Sequence, residues 1–224
     1  MRNVSAFAVF LCLTCGLSAA QSSSHADFDQ VKIYGGYQYT SLDTHAVQDA
    51  LNLQHTLDPT FPLLNFGSHQ NMHGWNFGGE EDTLAPWFGV VVDVSGTYGE
   101  NNINLGTVAG VTTKTRTKLR LYTFTAGPQF TLRRSSKVQP FVRALLGGAW
   151  ESFSVNVVEN NVPLFADVKQ SDEGFAYGGG GGADFFLSHK FGLRVAVDMI
   201  RTPFFRDTQN NIRGTAGFLF RFGN

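Results

Sequence analysis

The stretch from Ile212 to Phe222 constrains this chain more than any other. Every second residue is apolar or small: Ile212, Gly214, Ala216, Phe218, Phe220 and Phe222. Between them stand Arg213, Thr215, Gly217, Leu219 and Arg221. Side chains alternate across a strand, so this is a strand with one apolar and one mostly polar face. A soluble sheet alternates too. Arginines on the polar face and a closing cluster of phenylalanines instead predict a barrel whose apolar face meets lipid.

The other end of the chain agrees. Met1-Arg2-Asn3 carries one positive charge, Val4 to Leu17 is apolar, and Ser18-Ala19-Ala20 fits a small-residue cleavage site. This pattern predicts a secretory signal peptide over 1–20, too short to span a bilayer. Both cysteines, Cys12 and Cys15, fall inside it, so the mature chain is expected to carry no disulfide. A polar lead-in over 21–30 is expected to precede the barrel, 31–224.

Lys and Arg total 17 against 18 Asp and Glu, a balance that gives no reason to expect a nucleic-acid partner. Mean hydropathy is −0.09, and no later apolar run reaches the roughly 18 residues of a membrane helix. With 21 Phe and 25 Gly, the composition is that of a β-barrel rather than a helical membrane protein.

Eight strands are predicted, near Val31–Ser41, His73–Glu80, Pro86–Tyr98, Lys118–Leu132, Val138–Trp150, Gly174–Leu187, Phe191–Thr202 and the terminal stretch. In the first, Val31, Ile33, Tyr37 and Tyr39 face out, while Lys32, Tyr34, Gln38 and Thr40 face in. In the seventh, Leu193, Val195, Val197 and Met199 face out, and Arg194, Ala196 and Asp198 face in. Short turns near Glu81–Ala85, Arg133–Lys137 and Ser188–Lys190 alternate with longer loops near Leu42–Met72, Gly99–Thr117, Glu151–Glu173 and Pro203–Asn210. Short turns on one rim and long loops on the other is the outer-membrane pattern, with the turns periplasmic. Pro86, Pro128 and Pro140 fall near the short turns, where a missing N–H does least harm. Outward aromatics gather at two levels: Phe88, Phe130, Phe185, Phe191, Phe220 and Phe222 at the turn rim, and Tyr37, Tyr39, Trp75, Tyr98, Trp150 and Tyr177 at the other. Amphipathic rings favour headgroup depth.

Several short pieces in order, Tyr34-Gly35-Gly36-Tyr37, Asp93-Val94-Ser95-Gly96, Ala126-Gly127-Pro128-Gln129-Phe130, Pro140-Phe141-Val142-Arg143 and Phe218-Leu219-Phe220-Arg221-Phe222, give the chain a family likeness. From Val31 to Phe222 it resembles the small eight-stranded outer-membrane barrels, among them the transmembrane domain of outer membrane protein A and the opacity-type surface proteins. The resemblance implies an all-β fold, an eight-stranded antiparallel transmembrane up-and-down β-barrel in the bacterial outer membrane. It implies outer-membrane lipids as surroundings, and periplasmic chaperones and the barrel-assembly machinery as partners during biogenesis. The family's assembly signal usually ends on an aromatic, whereas Gly223-Asn224 follow Phe222 here.

The inward charges are the one constellation that stands out. Arg143, Asp184 and Arg194 fall on the adjacent fifth, sixth and seventh strands, each a few residues from the short-turn rim, and are expected within salt-bridge reach of one another. Small Gly178, Gly180 and Gly182 leave room for long neighbours. Asp93, Asp198, Arg213 and Arg221 are expected to extend the network. An eight-stranded interior is just wide enough for its own side chains, so this reads as a structural plug rather than an ion path.

His45, His55, His69 and His73 belong to the first long loop. His69 and His73 have the four-residue spacing of helical metal ligands, but no helix is evident there, and no metal is expected. Gly178–Gly182 lacks the Lys-Ser/Thr that a phosphate loop needs. Ala46 to Leu53 fits a short helical turn. No Ser/His/acid grouping stands out, so no catalytic residue and no cofactor are expected. The reading is a non-enzymatic outer-membrane scaffold whose loops serve surface interaction, adhesion or envelope integrity. The alternatives are a narrow pore for small solutes and a lipid-modifying hydrolase.

Overall fold

Alternating faces and the absence of any free strand edge inside the lipid layer determine the architecture. The computed structural model describes residues 30–57, 59, 69–108, 111–159, 162–163, 168–204 and 207–223. The expected signal peptide and all of the expected lead-in except Gln30 lie outside them. In chain order the elements are β1 (Gln30–Asp43), α1 (His45–Leu57), β2 (His69–Ala85), β3 (Phe88–Val108), β4 (Val111–Thr131), β5 (Val138–Glu159), the two-residue β6 (Val162–Pro163), β7 (Val168–Phe186), β8 (Phe191–Phe204) and β9 (Asp207–Phe222). α1 is longer than the expected turn. Among the described residues, no helix is long and apolar enough to cross a membrane, which says nothing of strands.

Each long strand pairs antiparallel with its chain neighbours, β6 adds only to the end of β5, and β1 pairs with β9 to close an eight-stranded up-and-down barrel. The pairing climbs as it goes round. From Ile33 it runs through Gly79, Val92, Ala126, Leu146, Tyr177 and Arg201 to Asn210. Asn210 lies level with Asp43, ten residues further along β1, and its N–H donates to the Asp43 carboxylate. Such a stagger tilts the strands by roughly 35–45° and leaves an interior that side chains fill.

Burial follows the alternation. Lys32, Tyr34, Gln38 and Thr40 are buried, and Val31, Ile33, Tyr37 and Tyr39 are exposed. Arg194, Ala196 and Asp198 are buried between exposed Leu193, Val195, Val197 and Met199. The polar face is thus the inside and the apolar face the outside, the reverse of a soluble barrel. Aromatic contacts mark two levels. Trp87 stacks on Phe130 at 5.8 Å and Phe191 meets Phe220 at 5.2 Å near the short turns. At the other level Tyr122 stacks on Trp150 at 5.4 Å and meets Tyr98 edge-on at 5.9 Å.

The strands outrun the sequence reading in four places, one of them the expected loop Pro203–Asn210, where β8 and β9 stay paired up to Phe204↔Asp207. β2 extends from His69 to Ala85, and the first turn is Pro86-Trp87 rather than Glu81–Ala85. The expected loop Gly99–Thr117 is mostly strand, because β3 and β4 stay paired up to Val108↔Val111. Much of Glu151–Glu173 is strand as well, with β5 and β7 paired up to Val155↔Val168. The extensions of β3, β4, β5 and β7 rise past the outer aromatic level, where neither face needs to be apolar, so the signal that marks a lipid-facing strand is lost; that of β2 to Ala85 lies at the short-turn rim. Pro128 leaves its own trace. The β4–β5 pairing lapses between Ala126↔Leu146 and Gln129↔Arg143, as expected where an N–H is missing. Beyond Phe222 the chain turns away at Gly223, whose φ of 100° suits glycine.

Candidate functional site

The inside of the barrel is built around two glycine windows. Tyr34, Gly78 and Asp93 stand side by side on β1, β2 and β3. A Cβ on Gly78 would strike the Tyr34 hydroxyl, so the missing side chain lets Tyr34 reach over β2 and donate to Asp93 Oδ2 at 3.0 Å. Arg143, Gly180 and Asp198 repeat the arrangement on β5, β7 and β8. A Cβ on Gly180 would press on the Val197 carbonyl and the Asp198 carboxylate. Without it, Arg143 Nε and Nη2 donate to Asp198 Oδ1 and Oδ2 at 2.9 and 2.7 Å.

The charges form two layers. Nearer the loops, Asp93 and Asp198 face Arg143 and Arg213. Arg213 donates to Asp93 Oδ1 at 2.7 Å and to Asp198 Oδ2 at 2.9 Å. Asn76 donates to Asp93 at 2.9 Å, and Arg143 Nη1 donates to the Tyr34 hydroxyl at 3.1 Å. Nearer the short turns, Lys32 lies 2.9 Å from Glu80, 3.3 Å from Asp82 and 3.7 Å from Asp184. Arg194 grips Asp184 through two parallel bonds of 2.6 and 2.8 Å and reaches Glu80 at 2.5 Å. Its guanidinium lies over the Tyr34 and Phe141 rings, at 4.3 and 4.5 Å. Arg133 pairs with Asp82. Each cation thus has an anion within reach, as buried charge requires, and forked guanidinium–carboxylate pairs are the strong form of that contact.

All five residues singled out in the sequence, Arg143, Asp184, Arg194, Asp93 and Asp198, face the interior and are buried. Their grouping differs from the expectation. Asp184 joins Arg194 but not Arg143, because Asp184 is opposite Gln139 on β5 while Arg143 is opposite Gly180 and reaches past it to β8. Arg213 joins the loop-side layer. Arg221 stays outside the network, donating to the His189 carbonyl at 2.6 Å and covering the Phe186 ring at 4.4 Å. Sequence reasoning missed the grouping of Lys32 with Glu80, Asp82 and Arg133. Lys32 was visible on the inner face of its strand. Asp82 was hidden because the second strand looked shorter than it is, and Arg133 because it lies beyond the end of β4.

Toward the loops the interior changes character. Leu145, Leu121, Ala149, Ala176 and Ile200 face inward above the charged layers, followed by Leu42, Met72 and Leu119. Glu151 lies at this mouth, one residue beyond outward-facing Trp150 and past the membrane-spanning part of its strand. Burial pushes its carboxyl up to about 7, against a hydrogen bond from Gln209 that lowers it and with help from nearby Asp172.

On the wall, away from the ion layers, His69 and His73 are exposed. His69 and His73 lie on one strand rather than a helix; His73 Nδ1 shares a 2.5 Å hydrogen bond with Tyr37, and His45 contacts Asp43 at 2.8 Å. Among the described residues, no group of three or more His, Cys, Asp or Glu is arranged to hold a metal ion.

The chain matches the outer membrane protein beta-barrel domain family over residues 8–223. Among solved structures it is similar to Ail, the attachment invasion locus protein of Yersinia pestis, with 16% identity over 87% of this chain and 99% of that one and a TM-score of 0.55. Ail in complex with the heparin analogue sucrose octasulfate is similar at a TM-score of 0.54, with the same identity and coverage. The neisserial surface protein NspA matches at 9% identity over 87% of this chain and 97% of that one, with a TM-score of 0.48. No curated protein matches the sequence. The likeness to Ail shows a shared fold, while the match along almost the whole chain shows the family: this chain belongs to the outer membrane protein beta-barrel domain family, and its lipid-facing wall lies in the bacterial outer membrane.

Proposed function

We propose that the protein is a non-enzymatic surface protein whose closed barrel anchors a projecting sheet, and that this sheet makes its external contacts. The observation that carries this reading is the unequal height of the wall. β2 pairs with β3 only as far as His73↔Tyr98, and β7 pairs with β8 only as far as Tyr177↔Arg201. Between those limits β3, β4, β5 and β7 continue outward together. The extension presents strand edges well above the outer aromatic level, where edges invite pairing with another chain.

Against a pore stand the two ion layers and the apolar collar, which occupy the lumen. A lipid-modifying hydrolase would need a nucleophile held by a histidine near the outer level. Near that level His73 bonds to Tyr37 and His45 to Asp43, a phenol and a carboxylate rather than a serine.

The test replaces Ile103–Thr113 with a tight turn. Cells displaying the intact or shortened protein are compared for binding to arrayed matrix proteins and glycans. Barrel closure is checked by the different gel migration of boiled and unboiled samples. The intact protein is expected to raise binding to at least one class of surface, and the shortened one to lose it while remaining closed. A large steady conductance of the wild type in a planar bilayer, with no surface binding, would replace this reading with the pore.

A further inference from the structure

On the outward face of β4, the residues directly above the outer aromatic level are basic. Tyr122 stacks on Trp150 and donates to the Tyr98 hydroxyl at 3.2 Å, and Trp75 donates to the same hydroxyl at 3.4 Å. These four rings, on β2 to β5, fix the headgroup depth on this side of the barrel. Moving outward along β4, the next outward positions are Arg120, Lys118 and Arg116, all exposed. The inward positions between them, Leu121, Leu119 and Thr117, are buried. Alternate residues of a strand stand about 7 Å apart, so the three cations form a short ladder that begins at headgroup depth.

Its flanks suit an anion. Arg120 is paired across the sheet with Ser152 and Lys118 with Ser154 on β5. On β3 the ladder has one acid, Glu100, which is the cross-strand partner of Lys118 but turns to Arg116, 3.2 Å away. Among the described residues, Lys118 and Arg120 make no ion pair. Other strands differ: in the same register β2 places His73 opposite Tyr98, and β8 places one cation, Arg201, opposite Tyr177.

We propose that Arg120, Lys118 and Arg116 hold the phosphate groups of an outer-leaflet lipid headgroup, with Ser152 and Ser154 as neighbouring donors. The depth of the ladder selects the occupant. Its lowest member lies level with Tyr98, its cross-strand partner in the aromatic ring, so a phosphate bound there remains attached to a lipid whose chains run down the apolar wall. Guanidinium forks and lysine ammonium groups are the side chains suited to phosphate, and basic residues at a membrane surface attract anionic headgroups.

The experiment uses the mature protein in nanodiscs of phosphatidylcholine with a minor fraction of bisphosphorylated lipid A, or of the same lipid dephosphorylated. After gentle detergent extraction, native mass spectrometry counts the lipid A retained per barrel. Wild type is expected to retain the phosphorylated form preferentially, less so at high salt. Lys118→Gln and Arg120→Gln are each expected to reduce that preference about fivefold. Arg120→Lys is expected to keep most of it, and Arg201→Gln all of it. Equal retention of the dephosphorylated lipid by wild type would overturn the proposal, and this comparison needs no variant to fold. So would an unchanged preference in the closed Lys118→Gln/Arg120→Gln double variant. Tight binding of soluble tripolyphosphate at the ladder, with no retained lipid, would equally overturn it in favour of a free external anion.

Discussion

The barrel is filled twice, by opposite means. The half of the lumen nearer the periplasm holds five cations and five carboxylates in two layers: Lys32, Arg133 and Arg194 with Glu80, Asp82 and Asp184, then Arg143 and Arg213 with Asp93 and Asp198. The half nearer the outside holds no such ion layers: Leu145, Leu121, Ala149, Ala176, Ile200, Leu42, Met72 and Leu119 share it with buried polar side chains such as Thr40, Thr97, Thr123, Thr202 and Asn211. An ion network depends on every partner, because removing one strands another in a poorly solvated place. An apolar collar depends on volume and tolerates a similar shape. One half should therefore be brittle and the other forgiving.

The largest expected effect tests that contrast along a single strand. Asp198 is shared by Arg143 and Arg213, whereas Ile200, two residues further along β8, belongs to the collar. Asp198→Ala is expected to cost about 3–5 kcal/mol, toward the lower end where water reaches the stranded cations. Ile200→Val is expected to cost about 0.5–1.5 kcal/mol. Urea unfolding in lipid vesicles, followed by tryptophan fluorescence, measures both. Equal costs would erase the distinction between the halves.

A second expectation separates stability from sealing. Asp184→Ala deprives Arg194 of its forked partner but leaves Glu80 in place. The loss is expected to be about 1.5–3 kcal/mol, the range for hydrogen bonds to charged groups. The collar remains shut, so planar-bilayer recordings should show no steady conductance. A variant that conducts would mean that the ion layers alone form the seal.

An effect confined to one pH window concerns Glu151 at the outer mouth. Its carboxyl is raised from an ordinary 4.5 to about 7, burial being the largest cause. Between those values the folded state holds a proton that the unfolded chain has released. This contribution to stability is fully present below 4.5 and is lost as pH rises through 7. Glu151→Gln should flatten the fall in urea midpoint between mildly acidic and mildly alkaline buffer. An identical fall in both proteins would place Glu151 in water.

The two halves also differed in how far the sequence revealed them. Alternation showed which side chains face in, so Arg194, Asp198 and Arg213 were legible as interior charges from their own strands. Their partners were not. Partnership depends on stagger, which carries the pairing ten residues up β1 in one circuit, and on windows such as Gly78 and Gly180. Arg143 was therefore matched to Asp184, at similar distance from the turn, when the window opened toward Asp198. The projecting sheet was missed for the opposite reason. The fourth strand is legible from Lys118, and over Gly99–Thr117 the sequence no longer alternates between apolar and polar residues, so a search for lipid-facing strands stops there.

The ion layers link strands that are far apart in the chain: Lys32 of β1 with Asp184 of β7, Glu80 of β2 with Arg194 of β8, Asp93 of β3 with Arg213 of β9. Early strands are neutralised by late ones. A sheet that had entered the bilayer with only its first four strands would carry Asp93 into hydrocarbon without either of its arginines and leave Lys32 as the one cation for Glu80 and Asp82. The pattern therefore penalises piecemeal insertion and rewards a chain that brings β9 to β1 before its interior leaves water. The final seam acts as a proofreading step, completing the charge balance only when the last strand has docked in register.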